Sequence, residues 1–168
     1  MSRAFIRESD DLPERPTLAR RASPLPPGAQ NYMTPDGARR FREELERLVQ
    51  AERPRLAAAD DPDAKHRLLE VSQRIDQLQQ CLESAVVAPA PAERDRVQFG
   101  TTVTVRERDG GETRYRIVGV DETDIDRGWV SWLSPIAKAL LNARLGGRVR
   151  FKSPSGEREL VIVSVEYE

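Results

Sequence analysis

The chain has 168 residues, with 27 Lys and Arg against 28 Asp and Glu, a formal net charge of −1 and a pI near 6.0. That balance excludes a protein that coats nucleic acid or anionic membrane, since such partners demand a strong basic excess. Hydrophobic residues are 38% and charged residues 33%, so part of the chain is expected to lie outside a packed core.

Residues 1–30 hold five of the twelve prolines, nine charges and few large apolar side chains. Proline blocks helix, and so little apolar surface cannot offset ordering entropy, so this stretch is expected to be a disordered tail. Arg7 and Glu8 interrupt the first apolar residues, which argues against a signal peptide. No run approaches the ~18 apolar residues of a membrane span. Cys81 is the single cysteine and has no internal partner, which points to a reducing compartment. A cytoplasmic, soluble protein is expected.

Residues 31–88 read as an antiparallel helical hairpin. Thr34 is a good N-cap, Pro35 is tolerated at N1, and Asp36 suits the positive helix end. Phe41, Leu45, Leu48 and Leu56 follow at steps of 4, 3 and 8, skipping Glu52, and Pro54 should kink this arm. The second arm carries Leu68, Val71, Ile75, Leu78, Leu82 and Ala85 at alternating steps of 3 and 4, the a/d seam of a coiled coil. Asp60-Asp61-Pro62-Asp63 leaves room only for a tight reversal between arms of about 25 residues, ~37 Å each. Pro89 and Pro91 end the helix and open a linker over 89–96.

Residues 97–168 change period. Val103 and Val105 alternate with polar residues, Asp109-Gly110-Gly111 turns, and Tyr115, Ile117 and Val118 return. A short strand around Trp129-Val130-Ser131 follows, then Ser134-Pro135 caps a helix to about Asn142, with Ala137, Leu140 and Leu141 facing inward. Val149–Phe151 and Leu160–Tyr167 give a final hairpin. The fold class is α+β: a helical hairpin, then an antiparallel sheet with one helix packed on it.

From Asn31 onward the chain resembles the Gre family of bacterial transcription elongation factors, the GreB branch more than the GreA branch. The resemblance is carried by Tyr32-Met33-Thr34-Pro35-Asp36-Gly37, Glu52-Arg53-Pro54, Phe99-Gly100, Tyr115-Arg116-Ile117-Val118-Gly119, Asp121-Glu122, Ser134-Pro135-Ile136-Ala137-Lys138-Ala139-Leu140-Leu141 and Pro154-Ser155-Gly156-Glu157. It implies a coiled coil followed by an FKBP-like domain. That domain would dock at the rim of the RNA polymerase secondary channel while the coil enters it, indirectly meeting transcript RNA. In such factors acidic tip residues help hold the polymerase's second Mg²⁺, so the polymerase cleaves its own backtracked transcript; the factor is no enzyme and carries no cofactor when free. The family's usual acidic tip segment has no match here, and the coil reads as shorter by about two heptads, one per arm, or ~10 Å of reach.

Asp60, Asp61 and Asp63 are the tip acids that could share such a metal. Capping accounts for Asp61 before Pro62 and for Asp63 in the first turn, and Asp60 is a turn residue, so the structural reading ranks ahead. Trp132, Leu133, Ser134, Pro135 and Lys138 are the implied polymerase-docking residues, with Trp132 or Leu133 expected at the surface. His66 and Cys81, fifteen apart with no second pair, do not suggest zinc. Trp129 and Trp132, three apart, do not share a strand face for stacking bases. The arginines of the first arm (Arg39, Arg40, Arg42, Arg47, Arg53, Arg55) alternate with glutamates and read mostly as a solvated face. The expected partner is RNA polymerase, with a monomeric factor and stimulation of transcript cleavage left open against simple occupation of the channel. A prolyl isomerase or chaperone is the rival of another class, and direct DNA binding finds little support in the 13 basic and 13 acidic residues from Pro89 on.

Overall fold

The structure is a computed structural model, and it describes residues 25–167; the first 24 residues of the tail expected over 1–30 lie outside them. A three-residue strand β1 (Asn31–Met33) leads into α1 (Pro35–Arg47). The Thr34 hydroxyl accepts from Gly37 N at 2.9 Å and fixes the helix start. A π turn (Leu48–Glu52) joins α1 to α2 (Arg53–Ala58). Its cause is Pro54, which has no N–H to give and crowds the preceding turn, so that Arg53 N–H reaches back five residues to the Leu48 carbonyl. The widened turn absorbs one residue. Leu48 and Leu56, eight apart, therefore both return to the buried face.

After the reversal at residues 59–61, α3 (Pro62–Ser84) runs back along the first arm. Met33, Ala38, Phe41, Leu48, Ile75 and Leu78 form the core between the arms, with Leu45, Val71 and Leu82 packed at its margins. Glu44 and Arg74 bridge the arms through two hydrogen bonds of 2.8 and 2.9 Å. The helix ends at Ser84, four residues before the expected limit of the hairpin at 88, because Ala85–Val87 form β2, paired parallel with β1.

The second unit is a five-stranded sheet in the order β5-β4-β3-β7-β6. Its strands are β3 (Thr101–Arg106), β4 (Glu112–Val118), β5 (Trp129–Ser131), β6 (Arg148–Ser153) and β7 (Gly156–Tyr167). A bulge in β7 opposite Thr104/Val105 lets that long strand serve both β3 and β6. One expectation is corrected: the sheet is mixed, since β5 lies parallel to β4. The segment 119–128 between them, including a 3₁₀ turn (Val120–Glu122), is a crossover long enough to restore the strand direction. Strand β3 takes in the alternation expected at Val103 and Val105, and ahead of it Val97, where the period changes, is fully buried and bonded to Ala143 and Asn142.

Helix α4 (Pro135–Leu140) stops two residues short of Asn142, which takes a left-handed φ of 68°. Ala137 and Leu140 are buried against Val97, Val103, Val105, Ile117, Leu160 and Ile162, while Leu141 is only half-buried. The second unit is thus two layers, one helix on one sheet face.

Candidate functional site

The tip of the hairpin is built by its own capping. Asp61 is extended, and its Oδ1 accepts from Ala64 N at 2.8 Å; Pro62 follows at N1 and Asp63 sits in the first turn. Asp60 projects into solvent with 97% of its side chain exposed, and Lys65 Nζ lies 3.3 Å from its Oδ1. Leu56 and Ala64 close the core just beneath the turn. Removing the cap by Asp61→Ala is expected to cost about 1 kcal/mol, read as a lower midpoint in thermal unfolding and largely restored by Asp61→Asn.

These three carboxylates do not fit a shared divalent ion well. One oxygen of Asp61 is taken by the backbone, Asp60 has an ammonium beside it, and among the described residues no three His, Cys, Asp or Glu side chains converge as a metal site. His66 faces Glu70 at 3.5 Å one turn along, whereas Cys81 lies about 22 Å away along the same helix. Burial pushes the Cys81 thiol up to about 12, helped by the charge and hydrogen bond of Asp121, so it stays protonated.

The start of α4 forms the other candidate surface. Ser134 caps it by accepting from Ala137 N at 3.2 Å, and Pro135 occupies N1. Pro135 and Lys138 are exposed; Leu133 and Ser134 are half-buried. Trp132, expected at the surface, is half-buried instead. It packs on the sheet core and meets Tyr32 edge-on at 5.3 Å, its ring N–H buried. The helix start and the tip stand at opposite ends of a hairpin whose longer helix spans about 34 Å.

Between them lies a junction that no sequence pattern announced. Glu122, in the turn after β4, has its side chain fully buried. It accepts from Thr34 N and Gly119 N, each at 2.9 Å, and from the Thr34 hydroxyl. Arg40 Nη2 stands 3.9 Å from the same carboxylate. Beside it Asn31 Nδ2 donates to Asp121 at 3.1 Å, and Asp36 gathers Arg39, Arg40 and Arg116. Burial works against an ionised Asp36, but hydrogen bonds from Arg39 and Arg40 outweigh it and hold its carboxyl below the ordinary range. The guanidinium groups of Arg40, Arg116 and Arg127 lie 4.7, 4.9 and 5.2 Å from the Trp129 ring. Of the other first-arm arginines, Arg39 pairs with Asp36 and Glu43 and Arg47 with Glu52, in keeping with a solvated face.

A cleft of about 390 Å³ at the β6–β7 end is lined by Glu107, Arg108, Asp109, Arg150, Glu157, Arg158 and Glu159. Its three arginines are paired with Glu107 and Glu159, and with four acids against three bases its lining carries a surplus of one negative charge.

Comparison with known proteins gives one family match and several relatives that align over most of the chain. A family model described as "Transcription elongation factor, GreA/GreB, C-term" matches residues 91–167. Transcription elongation factor GreB of Neisseria meningitidis is 38% identical over 154 residues, covering 82% of this chain and 94% of that protein. Transcription elongation factor GreA of Alkalilimnicola ehrlichii is 40% identical over 152 residues, covering 80% and 96%. A solved structure, the prokaryotic transcription elongation factor GreA/GreB from Nitrosomonas europaea, is 23% identical, covers 82% of this chain and 100% of that one, and superposes with a TM-score of 0.42. In the Neisseria comparison the 154 aligned positions take in 82% of this chain's 168 residues, so about 16 of those positions are gaps in this chain.

Proposed function

The chain belongs to the GreA/GreB family of transcription elongation factors, and from that premise we propose that it acts on bacterial RNA polymerase as a factor that occupies the secondary channel without directing transcript cleavage. The sheet unit, read as FKBP-like, docks through Leu133, Ser134, Pro135 and Lys138. The hairpin, read as a short antiparallel coiled coil, projects into the channel. The factor performs no catalysis of its own and works as a cytoplasmic monomer; among the described residues no helix is long and apolar enough to cross a membrane.

The observation that carries the choice between occupation and cleavage is the state of the tip. Asp61 spends its carboxylate on the α3 cap, and Asp60 stands beside Lys65, so the turn offers no converging pair of free carboxylates. The shorter coil read from the sequence adds to this: about one heptad less per arm would withdraw the tip by ~10 Å, and a carboxylate that far from a metal cannot ligate it.

A stalled, backtracked elongation complex provides the test. The protein alone is expected to leave transcript cleavage at the level of polymerase by itself, and to slow cleavage stimulated by a full-length GreB in a dose-dependent way. Cleavage above the polymerase baseline, lost when Asp60, Asp61 and Asp63 are all changed to Ala, would overturn the reading.

A further inference from the structure

We propose that Glu122 is the positioning residue that fixes the angle of the hairpin against the sheet, so that the docked unit and its projecting arm behave as one rigid body. The inference rests on the reading above, in which the sheet docks and the hairpin projects.

Glu122 belongs to the sheet side of the junction, but two of its three hydrogen-bond donors are on the hairpin side: Thr34 N at 2.9 Å and the Thr34 hydroxyl. The third, Gly119 N at 2.9 Å, comes from the turn's own start. Both carboxylate oxygens are used, in a place where water does not reach the side chain. Parting the units would strip the carboxylate of two of its three donors and leave the Thr34 N–H and hydroxyl without their acceptor, a loss that makes small excursions unfavourable. Arg40, one turn into α1, adds the opposite charge at 3.9 Å.

The grip falls on the residue that matters most for direction. Thr34 is the N-cap of α1, and its hydroxyl accepts from Gly37 N while donating to Glu122. The carboxylate therefore holds the first turn of the arm and sets the line along which it leaves the sheet. The fit is close on the helix side: a Cβ on Gly37 would overlap the Glu122 carboxylate. Leverage makes the angle consequential. At the end of a 23-residue helix, ten degrees of play at the base displaces the tip by roughly 6 Å.

The test uses the full chain with spin labels on Arg55→Cys, near the tip, and Ser155→Cys, at the β6–β7 turn, both exposed positions. Cys81, half-buried with its thiol pushed up to about 12, stays unlabelled. Pulsed electron resonance then reads the width of the inter-label distance distribution. Glu122→Ala and Gly37→Ala are expected to broaden it roughly twofold, with the far-ultraviolet helix and sheet signal retained. Glu122→Gln, which keeps one oxygen for the two N–H donors, is expected to stay near the parent. A narrow distribution in Glu122→Ala with native circular dichroism overturns the proposal. Should Glu122→Ala lose its fold, Gly37→Ala decides alone: broadening supports the clamp and an unchanged width overturns it. Polymerase binding by the parent is measured separately, so that failure to bind counts against the proposed function and leaves the distance result standing.

Discussion

Replacing Leu78 by Ala is expected to remove about 2–5 kcal/mol of stability, lost first from the helical hairpin. Leu78 is fully buried between the arms, in a core whose other fully enclosed members, Met33 and Ala38, lie near the base. A two-helix seam has one layer and cannot collapse from several sides to refill a hole, so the cavity term should be near its upper range. Urea unfolding followed by the far-ultraviolet helical signal checks this. The midpoint should fall sharply, whereas Leu69→Ala, half-exposed on the outer face of the same helix, should change it by less than about 0.5 kcal/mol.

Gly119→Ala is the second large effect. Gly119 has φ −66°, which any residue can adopt, so backbone freedom is not the reason for glycine here. The reason is space: an added Cβ would overlap the Tyr32 carbonyl and stand 2.9 Å from Glu122 Oε2. Neither neighbour is a flexible tip that can swing aside, since Tyr32 belongs to β1 and Glu122 is held by its three donors. The expected cost is roughly 2–3 kcal/mol, most of it at the junction. Calorimetry should show one unfolding transition in the parent splitting into two in the variant; a single transition of unchanged midpoint would count against this account of the contact.

Much of the hairpin was legible because its determinants are local. Thr34 and Asp61 cap the helices they precede, and the seam from Leu68 to Leu82 needs only a helical period to be seen. The eight-residue step from Leu48 to Leu56 was visible as an irregularity, and Pro54 as its cause, but the π turn that reconciles them needed coordinates. Strands β1 and β2 have three residues each and owe their pairing to the hairpin that brings them together. The parallel placement of β5 depends on a crossover that no alternation of residues encodes.

The candidate site divides in the same way. Capping at Asp61 and Ser134 could be read from dipeptides with proline. Glu122 could not, because its hairpin-side donors come from Thr34, 88 positions earlier. A buried acid beside a half-buried one, as in Asp121-Glu122, looks the same in sequence as two surface charges.

The junction has an optical consequence. The chain contains two tryptophans, and both face it: Trp129 lies 4.7 Å from the Arg40 guanidinium and Trp132 lies 5.3 Å from the Tyr32 ring. Arg40 and Tyr32 belong to the hairpin side, whereas both indoles belong to the sheet side. Native emission of the free factor is therefore a label-free gauge of whether arm and sheet are seated, read as the wavelength shift of two known chromophores.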